Sequence, residues 1–119
     1  MTQPSSRREY YRLNYPVNDR PEFRYKNLNF KISNLSEKGL KFITNAKHNI
    51  NFNINDQIAG RIYFKDGNTA LISGQVIRIE PDGIVLSLDI GITLQRIMIE
   101  QRQLIAKYPD VAKKENLIG

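Results

Sequence analysis

The chain has no cysteine, which removes disulfide frameworks, thiol nucleophiles and thiolate metal sites together. Stability must therefore come from packing. No apolar run approaches the roughly 20 residues that span a bilayer, and the N-terminus Met1-Thr2-Gln3-Pro4-Ser5-Ser6-Arg7-Arg8 lacks the apolar stretch that follows the charges of a secretory signal. The expected compartment is the cytosol. Histidine occurs once, as His48 in an Asn-rich stretch, without the His, Cys, Asp and Glu grouping that a metal site needs. There is no Gly-Lys-Ser/Thr phosphate loop and no Gly-rich dinucleotide loop. Ser36 has no histidine near it in sequence, and the neighbouring acids Glu80 and Asp82 flank a turn whose residue preferences explain them. Neither catalysis nor a bound metal or organic cofactor is expected.

With 119 residues the chain is one domain's worth of sequence, enough to bury roughly two thirds of the surface its unfolded form exposes. The net charge of +6 is unevenly placed: residues 1–47 carry ten Lys or Arg against four acids, and residues 48–119 carry eight against eight. An anionic partner is thus favoured at the N-terminal end in both encounter and binding.

Hydrophobic periodicity divides the chain into an arm, a body and a tail. Residues 1–12 are polar and without sustained period, and read as a flexible arm that could order around a ligand. The body, 13–108, is dominated by period-two runs. Leu13, Tyr15 and Val17 point one way before a turn-rich Asn18-Asp19-Arg20-Pro21; Leu28, Phe30 and Ile32 alternate with Asn27, Asn29, Lys31 and Ser33. A short strand begins at Leu40, and Asn45 to Asp56 is a polar crossing, either a structured loop or an irregular edge strand. Ile58, Gly60, Ile62 and Phe64 alternate again before hairpin chemistry at Asp66-Gly67-Asn68, and a further strand pair meets at Glu80-Pro81-Asp82-Gly83. Leu94, Ile97, Met98, Gln101, Leu104, Ile105 and Tyr108 change to three-and-four spacing, with Thr93 as a cap and Pro109 as a stop. The amphipathic helix this implies packs on the edge or end of a barrel, or docks a second copy or another protein. Residues 109–119 form a tail of little pattern. Short antiparallel strands with one terminal helix point to an all-β, small closed or nearly closed barrel, since closure removes exposed edges.

Two polar signatures stand out: Arg7-Arg8-Glu9-Tyr10-Tyr11-Arg12 and Asn34-Leu35-Ser36-Glu37-Lys38-Gly39. Guanidinium groups grip phosphate oxygens with a two-pronged fork, match the O6 and N7 edge of guanine, and stack over a base. Arg8 and Arg12 share a face if the arm forms a turn, which leaves Arg7 for a second phosphate or base. Asn34 can meet a base edge or hold a turn, and Ser36 adds a small donor and acceptor. Gly39 allows positive φ or a close ligand approach.

These two signatures resemble the paired motifs of the PilZ domain family, bacterial receptors for cyclic di-GMP: Arg-x-x-x-Arg before the first strand and Asp/Asn-x-Ser-x-x-Gly after the second. The resemblance runs over roughly residues 6–108, including Gly74-Gln75-Val76-Ile77-Arg78 and the closing helix. It implies a six-stranded antiparallel barrel with a C-terminal α-helix, and an arginine arm that wraps the dinucleotide onto the outside. Arg8 and Arg12 then correspond to residues holding phosphates and guanine edges, Asn34 and Ser36 to residues contacting a guanine, Gly39 to the turn, and Arg7 to a residue used when two ligands bind. Asn34 stands where Asp is commoner, so a charge-assisted bond to guanine becomes a neutral one. The ligand implied is one or two molecules of cyclic di-GMP, with the signal passed to a downstream protein partner. Two other readings stay open. One is a PilZ-like interaction module without nucleotide. The weaker is a basic barrel for RNA or single-stranded DNA, for which Tyr63 and Tyr10-Tyr11 give no continuous stacking platform.

Overall fold

Period-two alternation becomes strand almost wherever it occurs. The computed structural model describes residues 11–109, which hold β1 (Leu13–Asn14), β2 (Glu22–Tyr25), β3 (Leu28–Ser36), β4 (Gly39–Ile43), β5 (Gln57–Tyr63), β6 (Thr69–Glu80), β7 (Gly83–Ile90) and α1 (Leu94–Lys107). Neighbouring strands are antiparallel in the order β3-β2-β5-β6-β7-β4, and β4 pairs back onto β3. Six strands thus form a closed barrel. β1 lies outside that ring, paired to β3 through Leu13–Leu35 and Asn14–Asn34. The core is aromatic at one end, where Phe23, Phe30 and Phe42 are buried and their ring centroids lie 4.8–6.5 Å apart.

Among the strands and loops, the sequence reading differs from the structure in two places and is narrowed in a third. Val17 is 71% exposed and belongs to a 3₁₀ turn, Val17–Asp19, instead of continuing the strand of Leu13 and Tyr15. β2 falls between the turn-rich residues 18–21 and the alternating run at Leu28, where the sequence reading places no strand: it is four residues long and follows a proline. Its hairpin to β3 closes on Lys26-Asn27, with φ of 51° and 64°, a left-handed pair without the glycine that usually marks it. The Asn-rich crossing is a structured loop. Its one histidine accepts from the Asn45 backbone N–H at Nδ1, sets Nε2 3.0 Å from the Asn29 carbonyl and packs its ring on Phe30. His48 is structural.

Of the three breaks in register among the described residues, two decide which side chains leave the barrel beside β4, and the third, at Ser73 and Gly74, lies farther along β6. In β3, Leu28, Phe30 and Ile32 turn inward, and unbroken alternation would carry Asn34 and Ser36 inward too. Instead Ile32 pairs with Phe42 and Asn34 with Lys41, leaving Ser33 as an extra residue. Leu35 takes the inward place, fully buried, and Asn34 and Ser36 face out. β6 repeats the device: Ile72, Gly74 and Val76 are buried, Val76 pairs with Leu86 and Arg78 with Val85, and the extra residue is Ile77. Arg78 is thereby exposed. Such bulges re-aim side chains at the cost of local ladder bonds.

α1 starts at Thr93, whose hydroxyl accepts from the Arg96 N–H at 3.1 Å. It lies on the barrel through Ile97, Glu100 and Leu104; Leu94 and Met98, expected in the apolar stripe, are 55% and 45% exposed. The helix is rotated because its contact is partly polar. Tyr15 Oη–H donates to Glu100 Oε1 at 2.7 Å, and Arg96 donates to Glu100 Oε2 at 2.8 Å and to Asp66 Oδ2 at 2.9 Å while lying over Phe64. A buried carboxylate needs such partners. At the other end, Lys107 and Tyr108 both bond Asp19.

Gly91 lies against the Glu37 carbonyl, where an added Cβ would collide. Gly91→Ala is expected to lose about 1–3 kcal/mol of stability by overpacking, read as a lower denaturant midpoint. Asp66 is held down to about 2 by the Asn68 backbone N–H and then by Arg96. A depressed carboxyl stabilises the fold above its unfolded pKa and loses that contribution as pH falls through its folded one. The advantage in melting temperature of the unmutated protein over Asp66→Asn should therefore hold at pH 5 and shrink steadily between about pH 4 and pH 2. A difference unchanged across that window would refute the clamp.

Candidate functional site

The outward residues of β3, β4, β7 and β6 floor a concavity of about 470 Å³. Cross-strand register fixes its layout. One row runs Asn34–Lys41–Val85–Arg78, and beside it Ser36 faces Gly39, which faces Ser87. From the first residue of the longer row to the last are three inter-strand steps, about 14 Å. That is room for a ligand of two nucleotide units. The β1–β3 register, extended by one residue, brings Arg12 opposite Ser36, and Arg12 lines the same concavity.

Four of the six residues singled out from sequence therefore meet here: Arg12, Asn34, Ser36 and Gly39. Arg7 and Arg8 lie outside the described residues. The Glu37-Lys38 turn is fastened from behind, since the Glu37 carbonyl accepts from the Ile92 N–H at 3.0 Å and the Lys38 carbonyl from the Leu88 N–H at 2.8 Å. Such a turn is preorganised, so little ordering cost attaches to a ligand that uses it. Ser36 Oγ–H reaches the Gly39 carbonyl at a loose 3.4 Å. Gly39 does not serve in the first way expected of it: among the described glycines only Gly67 has positive φ. A Cβ at Gly39 would make ordinary contacts with the Leu86 carbonyl and Ser36 Oγ. Its remaining contribution is a low outer surface beside Ser36.

Sequence reasoning missed Lys38, Lys41 and Arg78, which with Arg12 give four cations against one acid, Glu80, around the concavity. Lys41 Nζ lies 2.7 Å from Glu80 Oε1 and 2.8 Å from Asp82 Oδ1, and Arg78 Nε lies 2.7 Å from Glu80 Oε2. The bonds from Asp82 and Glu80 raise the Lys41 ammonium, and those from Lys41 and Arg78 hold the Glu80 carboxyl below its ordinary value. Lys41 and Glu80 therefore stay charged at neutral pH. Glu80 and Asp82, explained from sequence by turn preference, thus also anchor the site's lysine. Only the β6 register break reveals Arg78, because simple alternation from Val76 would point it inward.

Among the described residues, no group of three or more His, Asp and Glu side chains could hold a metal ion, and no helix is long and apolar enough to cross a membrane. The site offers phosphate-binding cations, an amide, hydroxyls and short apolar stretches at Ile77 and Val85, a set suited to holding an anionic ligand. Comparison with curated proteins returned no match. The family model for the PilZ domain matches residues 6–108, a span that includes both polar signatures, the whole barrel and α1. The chain belongs to the PilZ domain family.

Proposed function

We propose that this chain is a cyclic di-GMP receptor, with the nucleotide lying on the outer face of β3, β4 and β7 and the arginine arm closing over it. The observation that carries the reading is the convergence of Arg12 with Asn34 and Ser36 at one cationic concavity, combined with membership of a family of cyclic di-GMP receptors. Arg8 and Arg12 would take phosphates and guanine edges, Asn34 and Ser36 would meet a guanine beside Gly39, and Arg7 would serve a second ligand molecule. The ligand is the source of signal, and no chemistry is done on it.

Receptor action needs a route from ligand to partner. β1 supplies one, because Arg12 enters it from the site and Tyr15 and Asp19 leave it to hold α1 through Glu100, Lys107 and Tyr108. A space of about 160 Å³ lies beside these anchors, lined by Tyr15 and Asp19 on one side and by Glu100, Gln103, Leu104 and Lys107 of α1 on the other. Tightening β1 on β3 would thus be felt at α1, whose exposed Leu94 and Met98 offer the changed surface to a protein partner.

Calorimetry with cyclic di-GMP, GTP and a short oligonucleotide tests the assignment. The cyclic dinucleotide should bind best, and Arg12→Ala should weaken it by about tenfold or more, as expected for a charge-assisted fork. An Arg12→Ala protein that binds as tightly as the unmutated one would sink the reading. Affinity should also fall as salt rises, since the contacts are exposed ion pairs; a salt-independent constant would indicate an apolar site.

A further inference from the structure

Arg78 sits at the far end of the row that begins with Asn34, and its placement there comes from the same device. The register break in β3 delivers Asn34 and Ser36 to the outer face, and the break in β6 delivers Arg78 to that face of the neighbouring wall. Both bulges open onto one concavity, with the unbroken β4–β7 ladder between them, while the remaining break, at Ser73 and Gly74, lies farther along β6. Bulges concentrate where a strand must aim a particular side chain. We infer that Arg78 is a specificity-determining residue of the site: its guanidinium fork reads the O6 and N7 edge of a guanine lying over Ile77 and Val85.

The local chemistry suits that role. Ile77 is 51% exposed, and with the half-buried Val85 it gives the base an apolar floor beside the fork. Arg78 now bonds Glu80, but Glu80 also accepts from Lys41, which is itself shared with Asp82. When Arg78 turns to a base, Glu80 keeps its other cation, so no carboxylate is stranded. The Arg78 side chain is 61% exposed, and an ion pair in that setting holds it only weakly. Guanine presents two acceptors on that edge, whereas adenine presents an acceptor and a donor. An arginine fork, a pure donor, therefore distinguishes the two bases; lysine supplies charge without the planar register.

This inference rests on the receptor reading, and the test separates the two. Calorimetry would compare cyclic di-GMP with cyclic di-AMP for the unmutated protein and for Arg78→Ala, Arg78→Lys, Arg12→Ala and, as a charge control on α1, Arg102→Ala. The unmutated protein should prefer the guanine ligand by about tenfold or more. Arg78→Ala should lose most of that preference and weaken cyclic di-GMP by a similar factor, Arg78→Lys should not restore it, and Arg102→Ala should leave it intact. Melting curves should coincide, because the side chain is exposed. If Arg12→Ala weakens binding while Arg78→Ala keeps both affinity and preference, the role of Arg78 is overturned and the receptor stands. Equal losses in Arg78→Ala and Arg102→Ala, or full recovery in Arg78→Lys, would reduce Arg78 to a general charge and overturn the inference. If the unmutated protein binds neither dinucleotide, both fall.

Discussion

One extra residue in each of two strands governs what this barrel shows to the outside. Strand alternation is a parity rule, and an unbroken β3 would bury Asn34 and Ser36 among phenylalanines. Inserting Ser33 reverses the parity, so Leu35 fills the core and the polar pair faces outward. Inserting Ile77 does the same for Arg78. The core accepts both insertions because an apolar residue, Leu35 or Val76, sits on the inward side of each break. Closure and site are thus satisfied by the same local irregularity, and the cost is a few ladder bonds at strand positions that face a ligand-sized hollow.

The second constraint is the polar clamp on α1. A helix lying on a closed barrel has only the outer surface of strands and loops to grip. Here it grips through a buried glutamate held by a tyrosine and an arginine, with a second anchor at Asp19. Burial and the adjacent Glu100 push the Tyr15 hydroxyl far above its ordinary pKa, so it remains the donor that the carboxylate requires. Polar clamps are directional where apolar ones are not, and this one ties helix position to the short segment between Arg12 and Asp19. That segment is the part of the fold nearest the arm. β1 is two residues long and stands outside the closed ring, so it is held by one neighbouring strand, β3.

Much of this was legible in the sequence because most strands follow simple alternation. Ile58, Gly60 and Ile62 face inward as their spacing requires, Thr93 caps the helix, and Arg12 of one signature meets Asn34, Ser36 and Gly39 of the other at one concavity. The rest was hidden for specific reasons. β2 is short, follows Pro21 and turns through Lys26-Asn27 without a glycine. The buried face of α1 contains Glu100, which no hydrophobic pattern marks, so the apolar spacing points toward Leu94 and Met98, which are exposed. Arg78 was invisible because a bulge is a property of paired strands, and one strand's residues do not disclose where the register slips. Gly39 shows an alternative that sequence leaves open: of positive φ and a close approach, the turn closes without the first.

Amide chemical-shift mapping by NMR during titration with cyclic di-GMP tests the central claim most directly, because it reports place as well as affinity. The account predicts that the largest changes fall on Asn34, Ser36, Gly39, Val85 and Arg78, the outer row and its neighbour. Shifts centred instead on β2 and β5 across the barrel, or none at saturating nucleotide, would contradict it.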